Sequence, residues 1–422
     1  MNRANRPRMS RISGSSVASK LMTRAGDGST LSLDFTTGVL DSRLTFTRST
    51  TGTYINSSGY VTSAAINTPR FDYDPTTTPP TPRGLLIEGS ASSLLTYSND
   101  FSNAVWLLDN SGAANPAVST VSQTGPDGAS TVTRITFNKT GGTFSRIRNS
   151  AVGSASQPYT MSVWMKANTA SGGAATQNVG LRIGADPAGF NCVVTTTWKR
   201  FQYTYTLSGT DANAQIMLWD NIIGNDETAD VLVYGCQIEA GSGASSYIPT
   251  GASTGTRNAD ECSMTGTNFS SWFTGITTGY SMLWSCSPQS RQSGSFPPMV
   301  CIRGPSDSGS RSYYYNDGTY NTAHRTSNGT TATESFGPNS LTYGVARKFA
   351  ISVTNGSQLV SSNGATANSN TQAITSFNQT IIGFGNDAGS PFGGLTGRQH
   401  FQSFKFWPTA LPQATLNSLT TL

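Results

Sequence analysis

TYINSSGYVT, residues 53–62, lies at the centre of the stretch around which the chain is organised, residues 33–106. Two runs of β-branched and aromatic residues, 53–55 and 60–62, flank the four-residue connection 56–59, which ends in glycine. Glycine accepts the positive φ that closes such a connection. The pattern therefore predicts a β-hairpin. Further along, the apolar run in RGLLIE, residues 83–88, predicts a buried strand.

The composition indicates an all-β protein with more than one domain. Only 12% of the 422 residues are charged, against the usual quarter, and 44 are glycine. Such a chain fits many short strands and turns, and its length exceeds that of one ordinary core. Aromatic residues make up 10% and the net charge is small, which argues against global disorder.

Residues 96–250 are predicted to form a first antiparallel jelly-roll sandwich, because strand-like runs recur at short intervals with turn residues between them. In FQYTYTL the alternation puts Phe201, Tyr203 and Tyr205 on one face, which we assign to the core. The predicted strands cover residues 131–137, 159–167, 179–183, 198–207, 215–219 and 230–238.

Residues 251–422 are predicted to form a second sandwich. A strand at 348–354 runs into Asn355-Gly356, the strongest hairpin signal in the chain. Pro412, placed at a first helical position, predicts one short helix over 413–419. The other predicted strands cover residues 280–286, 299–303, 311–315, 381–385 and 401–407.

The first 26 residues are basic and differ from the rest of the chain. Six of the 27 basic residues precede Asp27, which leaves 21 basic against 22 acidic residues afterwards. The segment lacks apolar periodicity and the apolar core of a secretory signal, so we predict an extended or weakly helical arm. A basic, serine-rich arm is seldom ordered unless it lies on another surface, so we expect it to dock on a neighbouring subunit or another protein. It also lacks aromatic residues for base stacking, which argues against nucleic acid as the partner. The basic residues are Arg3, Arg6, Arg8, Arg11, Lys20 and Arg24.

The sequence predicts no catalytic site, no cofactor and no metal. The adjacent acids Asp226-Glu227 and Asp260-Glu261 are interpreted as surface or turn residues, because neighbours on a strand point to opposite faces. His324, in an expected loop, and His400 lack a catalytic motif. No apolar run is long enough to span a bilayer.

The cysteines are interpreted as free thiols in or near the β cores. They show no CxxC spacing, and only two histidines are present, so a structural zinc site is not expected. Their odd number leaves open an intermolecular disulfide formed after release from a cell. They are Cys192, Cys236, Cys262, Cys286 and Cys301.

Two groups of residues combine an aromatic ring with carboxylate and amide side chains, as sugar-binding sites do. The alternative is that the rings serve a core or a subunit contact and that the polar residues form turns. The candidate glycan-binding residues are Trp219, Asp220 and Asn221 in one group and Tyr313, Asn316 and Asp317 in the other.

The order of these motifs resembles a known family. FTRST, TYINSSGYV, PRFDYDP, RGLLIEGS and LLTYSNDFSNAVW, within residues 46–106, resemble the linker module of tailed-bacteriophage virion proteins, which precedes lectin-like β-sandwiches. QIE, SYIPT and TRNAD, within 237–260, resemble the end of the first sandwich in such proteins. GLTG at 394–397 and FQSFKFW at 401–407 resemble the close of a concanavalin-A-like or laminin-G-like jelly roll.

The resemblance implies four segments: a basic arm (1–26), a hairpin-bearing linker module (27–95), a carbohydrate-binding-module-like sandwich (96–250) and a concanavalin-A-like or laminin-G-like sandwich (251–422). It implies a non-catalytic structural protein of the virion, at the neck or collar, the tail or the capsid surface. Such a protein is made in the host cytoplasm, forms a homo-oligomer and contacts other virion proteins through its arm.

Two other functions remain open at this point. A receptor-binding fibre or tailspike would recognise a host surface glycan, and a polysaccharide depolymerase would need a pair of acids around a sugar bond. The sequence contains no heptad run and no shaft-like repeat. Their absence favours a compact accessory protein over a long fibre.

Deletion of residues 2–24 is expected to prevent incorporation of the protein into particles and to leave the fold of the remainder unchanged, because the arm carries the docking contacts. Particle composition by mass spectrometry and circular dichroism of the purified variant measure the two effects. Normal incorporation of the shortened chain would contradict docking by the arm.

Overall fold

Strands dominate the computed structural model, and the predicted all-β fold class is confirmed. Two antiparallel sandwiches account for most of them. The structure describes residues 27–112, 114–290, 298–304, 308–314, 322–328, 332–336, 343–366, 371, 377–385 and 398–421.

Between residues 27 and 95 the structure has seven strands. The central pair, β3 and β4, forms the predicted hairpin, with Ile55 opposite Val61 and Gly59 at φ +83°. Asn56 Oδ1 closes the turn by accepting the backbone N–H groups of Ser58 and Tyr60, each at 3.0 Å. The strands are β1 (Leu31–Asp34), β2 (Thr45–Thr47), β3 (Gly52–Ile55), β4 (Val61–Ala64), β5 (Arg70–Asp74), β6 (Thr81–Ile87) and β7 (Ala91–Ser93).

The first sandwich contains ten strands, and all six runs predicted for it are among them. Phe201 is buried, and Tyr203 and Tyr205 pack partly buried against the same core, as their alternation predicts. The strands are β8 (Trp106–Asn110), β9 (Ala114–Val121), β10 (Val132–Asn138), β11 (Phe144–Asn149), β12 (Pro158–Ala167), β13 (Thr176–Ile183), β14 (Phe190–Thr195), β15 (Lys199–Thr206), β16 (Ala214–Trp219) and β17 (Thr228–Ala240).

The other strands of the described residues, and their two helices, follow residue 250. They are β18 (Gly255–Arg257), β19 (Glu261–Thr265), α1 (Gly266–Ser270), β20 (Gly279–Ser290), β21 (Pro298–Arg303), β22 (Ser308–Tyr314), β23 (Thr322–Asn328), β24 (Ala332–Phe336), β25 (Arg347–Thr354), β26 (Ser357–Ser362), β27 (Ala365–Thr366), β28 (Ile381–Phe384), β29 (Arg398–Trp407) and α2 (Gln413–Thr420).

The second sandwich confirms one sequence prediction and corrects two details. The hairpin at Asn355-Gly356 is confirmed, since β25 pairs with β26 and Gly356 has φ +80°. The predicted helix is present as α2, but Pro412 lies at its N-cap with extended backbone rather than at the first helical position. His324 lies in β23 rather than in a loop, because β23 pairs with strands on both sides.

Strands from both ends of the chain build the second sandwich. One of its sheets has the order β27-β26-β25-β20-β29-β6-β5, with β1 also on β29, and the other has the order β2-β19-β28-β21-β22-β23-β24. The sequence did not predict that segment 27–95 supplies strands to the sheets of residues 251–422. The predicted boundaries at residues 26, 95 and 250 remain predictions.

The first sandwich lies between these two contributions. Its sheets have the orders β15-β12-β17-β10-β9 and β14-β13-β16-β11-β8. One face of β12 faces the core through Met161 and Val163, while Trp164 on its other face is only 8% exposed. Trp164 packs with Val61 of the hairpin and with Tyr247, so the hairpin covers the outer face of this sheet.

All five cysteines are buried and none forms a disulfide bond, which confirms their predicted location in the β cores. Cys192 lies in the core of the first sandwich, and Cys286 lies in that of the second. Burial raises the pKa of Cys192 to about 12. Because the thiolate is the reactive form, this thiol is inert at neutral pH.

Gly84→Ala is expected to destabilise the fold by about 3 kcal/mol or more. Gly84 has φ +99°, and a Cβ atom there would lie 1.9 Å from the carbonyl oxygen of Phe401. Gly141→Ala is the matched control, because Gly141 has φ +80° but no atom within 4 Å of a Cβ. We expect it to cost about 1 kcal/mol. Equal losses in denaturant unfolding would show that the close approach of β6 to β29 does not matter.

Candidate functional site

The charged residues of the sequence motifs meet inside the protein, where segment 27–95 contacts both sandwiches. We call this cluster the charged junction. Its members come from parts of the chain up to 212 residues apart, and each side chain is nearly or fully buried. They are Arg48, Arg70, Glu88, Arg257 and Asp260.

Arg70 lies at the centre of the junction. Its Nη1 donates to Glu88 Oε2 at 2.7 Å and to Ser246 Oγ at 2.8 Å, while Nη2 donates to Asp260 Oδ2. Nη1 also donates to the carbonyl oxygen of Thr53 at 2.9 Å. One guanidinium therefore connects the hairpin, both carboxylates and the end of the first sandwich.

The two carboxylates are surrounded by further donors. Arg48 Nη1 lies 3.0 Å from Asp260 Oδ1, and the backbone N–H of Ser246 donates to Glu88 Oε1 at 2.8 Å. Arg398 Nε is 3.1 Å from Glu88 Oε1 and Arg257 Nε is 3.6 Å from Oε2. Four arginines thus surround two acids.

The arginines of the junction outnumber its acids. Backbone carbonyl groups therefore accept some of the hydrogen bonds that these arginines donate. Arg48 donates to the carbonyl oxygens of Thr50 and Ala65, both at 2.8 Å, and Arg257 donates to that of Gly89 at 2.6 Å. Buried charges are tolerated when hydrogen bonds satisfy them in this way.

The electrostatics of the junction keep its central groups ionised. Burial by itself would raise the pKa of Glu88, but Arg257, Arg70 and Arg398 hold it well below its ordinary value. Burial would likewise lower the pKa of Arg70, and the charges of Asp260 and Glu88 raise it instead. Glu88 and Arg70 therefore stay ionised near neutral pH and form the centre of an ionic cluster.

The sequence motifs contain all five residues of the junction, but the sequence did not predict that these residues meet. The interpretation of Asp260 as a surface or turn acid is wrong, because Asp260 is fully buried against Arg48 and Arg70. The same interpretation holds for Glu261, which is exposed. A usable signal was present: Glu88 directly follows the apolar run Leu-Leu-Ile in a chain with few charges.

Trp219, Asp220 and Asn221 lie together at the surface, where β16 ends. The guanidinium of Arg182 lies 4.6 Å from the centre of the Trp219 ring. Asp220 accepts from Lys139 Nζ at 2.7 Å, and Asn221 is exposed. The ring is partly exposed rather than in a core, but Arg182 occupies one of its faces.

Most of the other predicted site residues lie outside the described residues. The backbone of Tyr313 lies in β22, whereas Asn316 and Asp317 lie outside the described residues. So do all six basic residues of the arm.

Most of the acids described so far bind basic side chains. Asp220 and Glu227 share Lys139, at 2.7 and 2.6 Å, while Asp226 accepts from the backbone of Asn178. His400 Nε2 lies 2.8 Å from Asp72 Oδ2 in a buried pair. Among the described residues, no three His, Cys, Asp or Glu side chains cluster in a way that could hold a metal ion.

Comparison with known proteins gives weak similarities of structure. The sialidase CBM40 domain of Ruminococcus gnavus, solved with α2,3 sialyllactose, is 12% identical over 35% of this chain and 84% of its own, at a TM-score of 0.30. A heptameric pentraxin of Limulus polyphemus is 12% identical over 34% and 70%, at 0.28. The tandem CBM22 domains of Paenibacillus barcinonensis Xyn10C are 9% identical over 77% and 98%, at 0.25.

At these scores the similarities carry no weight in the argument that follows. No protein-family model matches the sequence, and no curated protein matches it. In the part of the chain that the structure describes, neither helix has the length and apolar character needed to cross a membrane.

Glu88→Gln is expected to lower the free energy of unfolding by about 3 kcal/mol at pH 7, because it removes one of the two negative charges that offset the buried arginines. The pKa of Glu88 is lower in the folded than in the unfolded chain, so its contribution is present above about pH 5 and disappears as the pH falls. The deficit of the variant should therefore shrink towards acid pH, in denaturant titrations at several pH values.

Glu261→Gln provides the control for that experiment, because Glu261 follows Asp260 directly and is exposed in β19. Its unfolding free energy should stay within about 0.5 kcal/mol of the parent protein. A Glu88→Gln deficit that does not change with pH would contradict the ionic role of Glu88.

Proposed function

We propose that this protein is a non-catalytic structural component of a tailed-phage virion. It belongs to the neck or collar, the tail or the capsid surface, is anchored through its N-terminal region, and displays its lectin-like sandwiches as a homo-oligomer. The proposal takes its family from the order of the sequence motifs and its physical support from the charged junction.

The observation that carries the proposal is that the motif residues build an internal joint. Arg48, Arg70 and Glu88 come from the segment that resembles the phage linker module, and Arg257 and Asp260 come from the stretch after the first sandwich. Because their ionic contacts are buried, they are little screened by salt and restrict movement between the parts they connect. A protein that holds two sandwiches on a particle requires such a joint.

The chemistry of the described acids supports a non-catalytic role. A glycoside hydrolase needs one carboxyl group free to donate a proton and a second free to act as base or nucleophile. Glu88 and Asp260 are buried between arginines, and Asp220 and Glu227 bind the same lysine. These four acids are committed to structural ion pairs.

A receptor-binding adhesin is the second candidate, and the surroundings of Trp219 favour it. A partly exposed tryptophan beside Asp220 and Asn221 offers the ring and hydrogen-bonding groups that a sugar needs. Glycan binding by the first sandwich is compatible with attachment to a particle, so the two candidates differ in where the protein lies on the virion.

Antibodies against the folded protein, used in immunogold labelling of purified particles, are expected to mark the neck, the tail or the capsid surface. Label at the distal end of the tail, together with specific signal on a host-glycan array, would favour the adhesin. Particles that lack the protein would overturn both candidates. Antibodies blocked beforehand with the purified protein control for unspecific label.

A further inference from the structure

The outer face of one sheet of the first sandwich carries an unusual number of arginines. Side chains alternate along β11, so Ile147 enters the core while Arg146 and Arg148 point away from it. On β13 the same alternation turns Leu181 inward and Arg182 outward. We call this surface the arginine face; its members are Asp109, Arg146, Arg148, Arg182, Gln215 and Trp219.

One carboxylate, that of Asp109, contacts two of the three arginines. Asp109 forms a bidentate pair with Arg146, at 2.6 and 2.9 Å, and a longer contact with Arg148 Nε, at 3.3 Å. The Arg148 side chain is 29% exposed. Within the described part of the chain, neither terminal nitrogen of Arg148 has a hydrogen-bond acceptor.

Arg182 contacts no carboxylate among the described residues. Its Nε donates to the carbonyl oxygen of Asp186 at 2.7 Å, and its Nη1 donates to Gln215 Oε1 at 3.2 Å. Burial lowers the pKa of Arg182, the nearby charge of Arg146 lowers it further, and the more distant carboxylates of Asp186 and Asp211 oppose the change. A bound anion would give Arg182 the negatively charged partner that it lacks among the described residues.

Gln215 and Trp219 fix the positions of these arginines. Gln215 is buried, and its Oε1 accepts from both Arg146 and Arg182 while its Nε2 donates to Gly184 O at 2.7 Å. The Trp219 ring lies against the Arg182 guanidinium. Arginines held in this way lose little conformational freedom when a ligand binds.

We propose that the arginine face binds a glycan that carries carboxylate groups, with Arg148 and Arg182 as its charged contacts. Leu107, which is opposite Arg148 on β8 and 44% exposed, and Trp219 offer apolar surface for the sugar ring. The planar guanidinium matches a carboxylate through two parallel hydrogen bonds. This proposal rests on the proposed display function and assigns a ligand class to the first sandwich.

The net charge of the chain argues for a carboxylate sugar over a nucleic acid. After residue 26 the chain has 21 basic and 22 acidic residues. Nucleic-acid binding without a particular fold typically relies on a long basic stripe, which neutralises many phosphates at once. Two partly exposed guanidinium groups on a near-neutral body fit a ligand with isolated charges.

The test uses the full chain on an array of uronic-acid and sialic-acid oligosaccharides, each printed beside its methyl ester. We expect binding to free acids and none to the esters, which keep the sugar but lose the charge. Arg148→Ala and Arg182→Ala should each weaken binding about tenfold, the usual loss for one charge-assisted hydrogen-bonding pair.

Arg134→Ala is the matched control, because Arg134 has the same charge and a similar exposure on the opposite sheet, where it pairs with Asp230. It should bind as the parent protein does. No signal on any free acid, equal signal on acids and esters, or equal loss in Arg134→Ala would overturn the proposal. Incorporation of the Arg148 variant into particles reports separately on the virion function, so the two can fail independently.

Discussion

Arg70 is held between Glu88 and Asp260 in a region that water does not reach, and the arrangement of the whole chain depends on that contact. Moving a charge into the interior costs several kcal/mol unless opposite charges and hydrogen bonds meet it there. Each partner of Arg70 comes from a different part of the chain: Glu88 from the end of β6, Asp260 from before β19 and Ser246 from after the first sandwich. The junction forms only when all of these segments are in place, so it couples the folding of the two sandwiches.

The topology explains why a joint is needed at this point. The chain starts the second sandwich with β1, β2, β5 and β6, leaves it to build the first sandwich, and returns through β18 and β19. The outgoing and returning segments pair as β7 and β18, with Ala91 opposite Arg257. The first sandwich is therefore connected to the second through two adjacent strands, β7 and β18. The charged junction and the aromatic cluster around Trp164 limit its rotation about these strands.

Local patterns in the sequence were sufficient to predict the hairpins and most buried strands. TYINSSGYV and Asn355-Gly356 contain both strands and turn within a few residues, so no distant contact is needed to specify them. The strands that escaped prediction include β9 and β11. β9 is an edge strand with Pro116, and β11 alternates buried residues with Arg146 and Arg148, so neither resembles an apolar run.

The candidate site was harder to predict, because its residues are distant in sequence and their roles depend on burial. A sequence pattern does not distinguish Asp260 from Glu261. In the structure, however, Asp260 binds two buried arginines, whereas Glu261 is exposed. Trp219 was found because a surface tryptophan beside Asp and Asn is a local signal. Arg182, which lies across it, comes from another strand and could be associated with it only through the sheet.

The charged junction and the arginine face both combine arginines with carboxylates, but in opposite ways. In the charged junction, Glu88 and Asp260 each lie close to more than one arginine, and backbone carbonyls accept further hydrogen bonds from Arg48 and Arg257. On the sheet, Asp109 satisfies Arg146 but leaves the terminal nitrogens of Arg148 without an acceptor among the described residues. The first arrangement contributes rigidity, and the second retains the ability to bind. Only 12% of the residues in this chain are charged, and both arrangements use some of these few residues. The ion pairs that restrict the joint are also what would keep the arginine face in a fixed direction relative to the second sandwich.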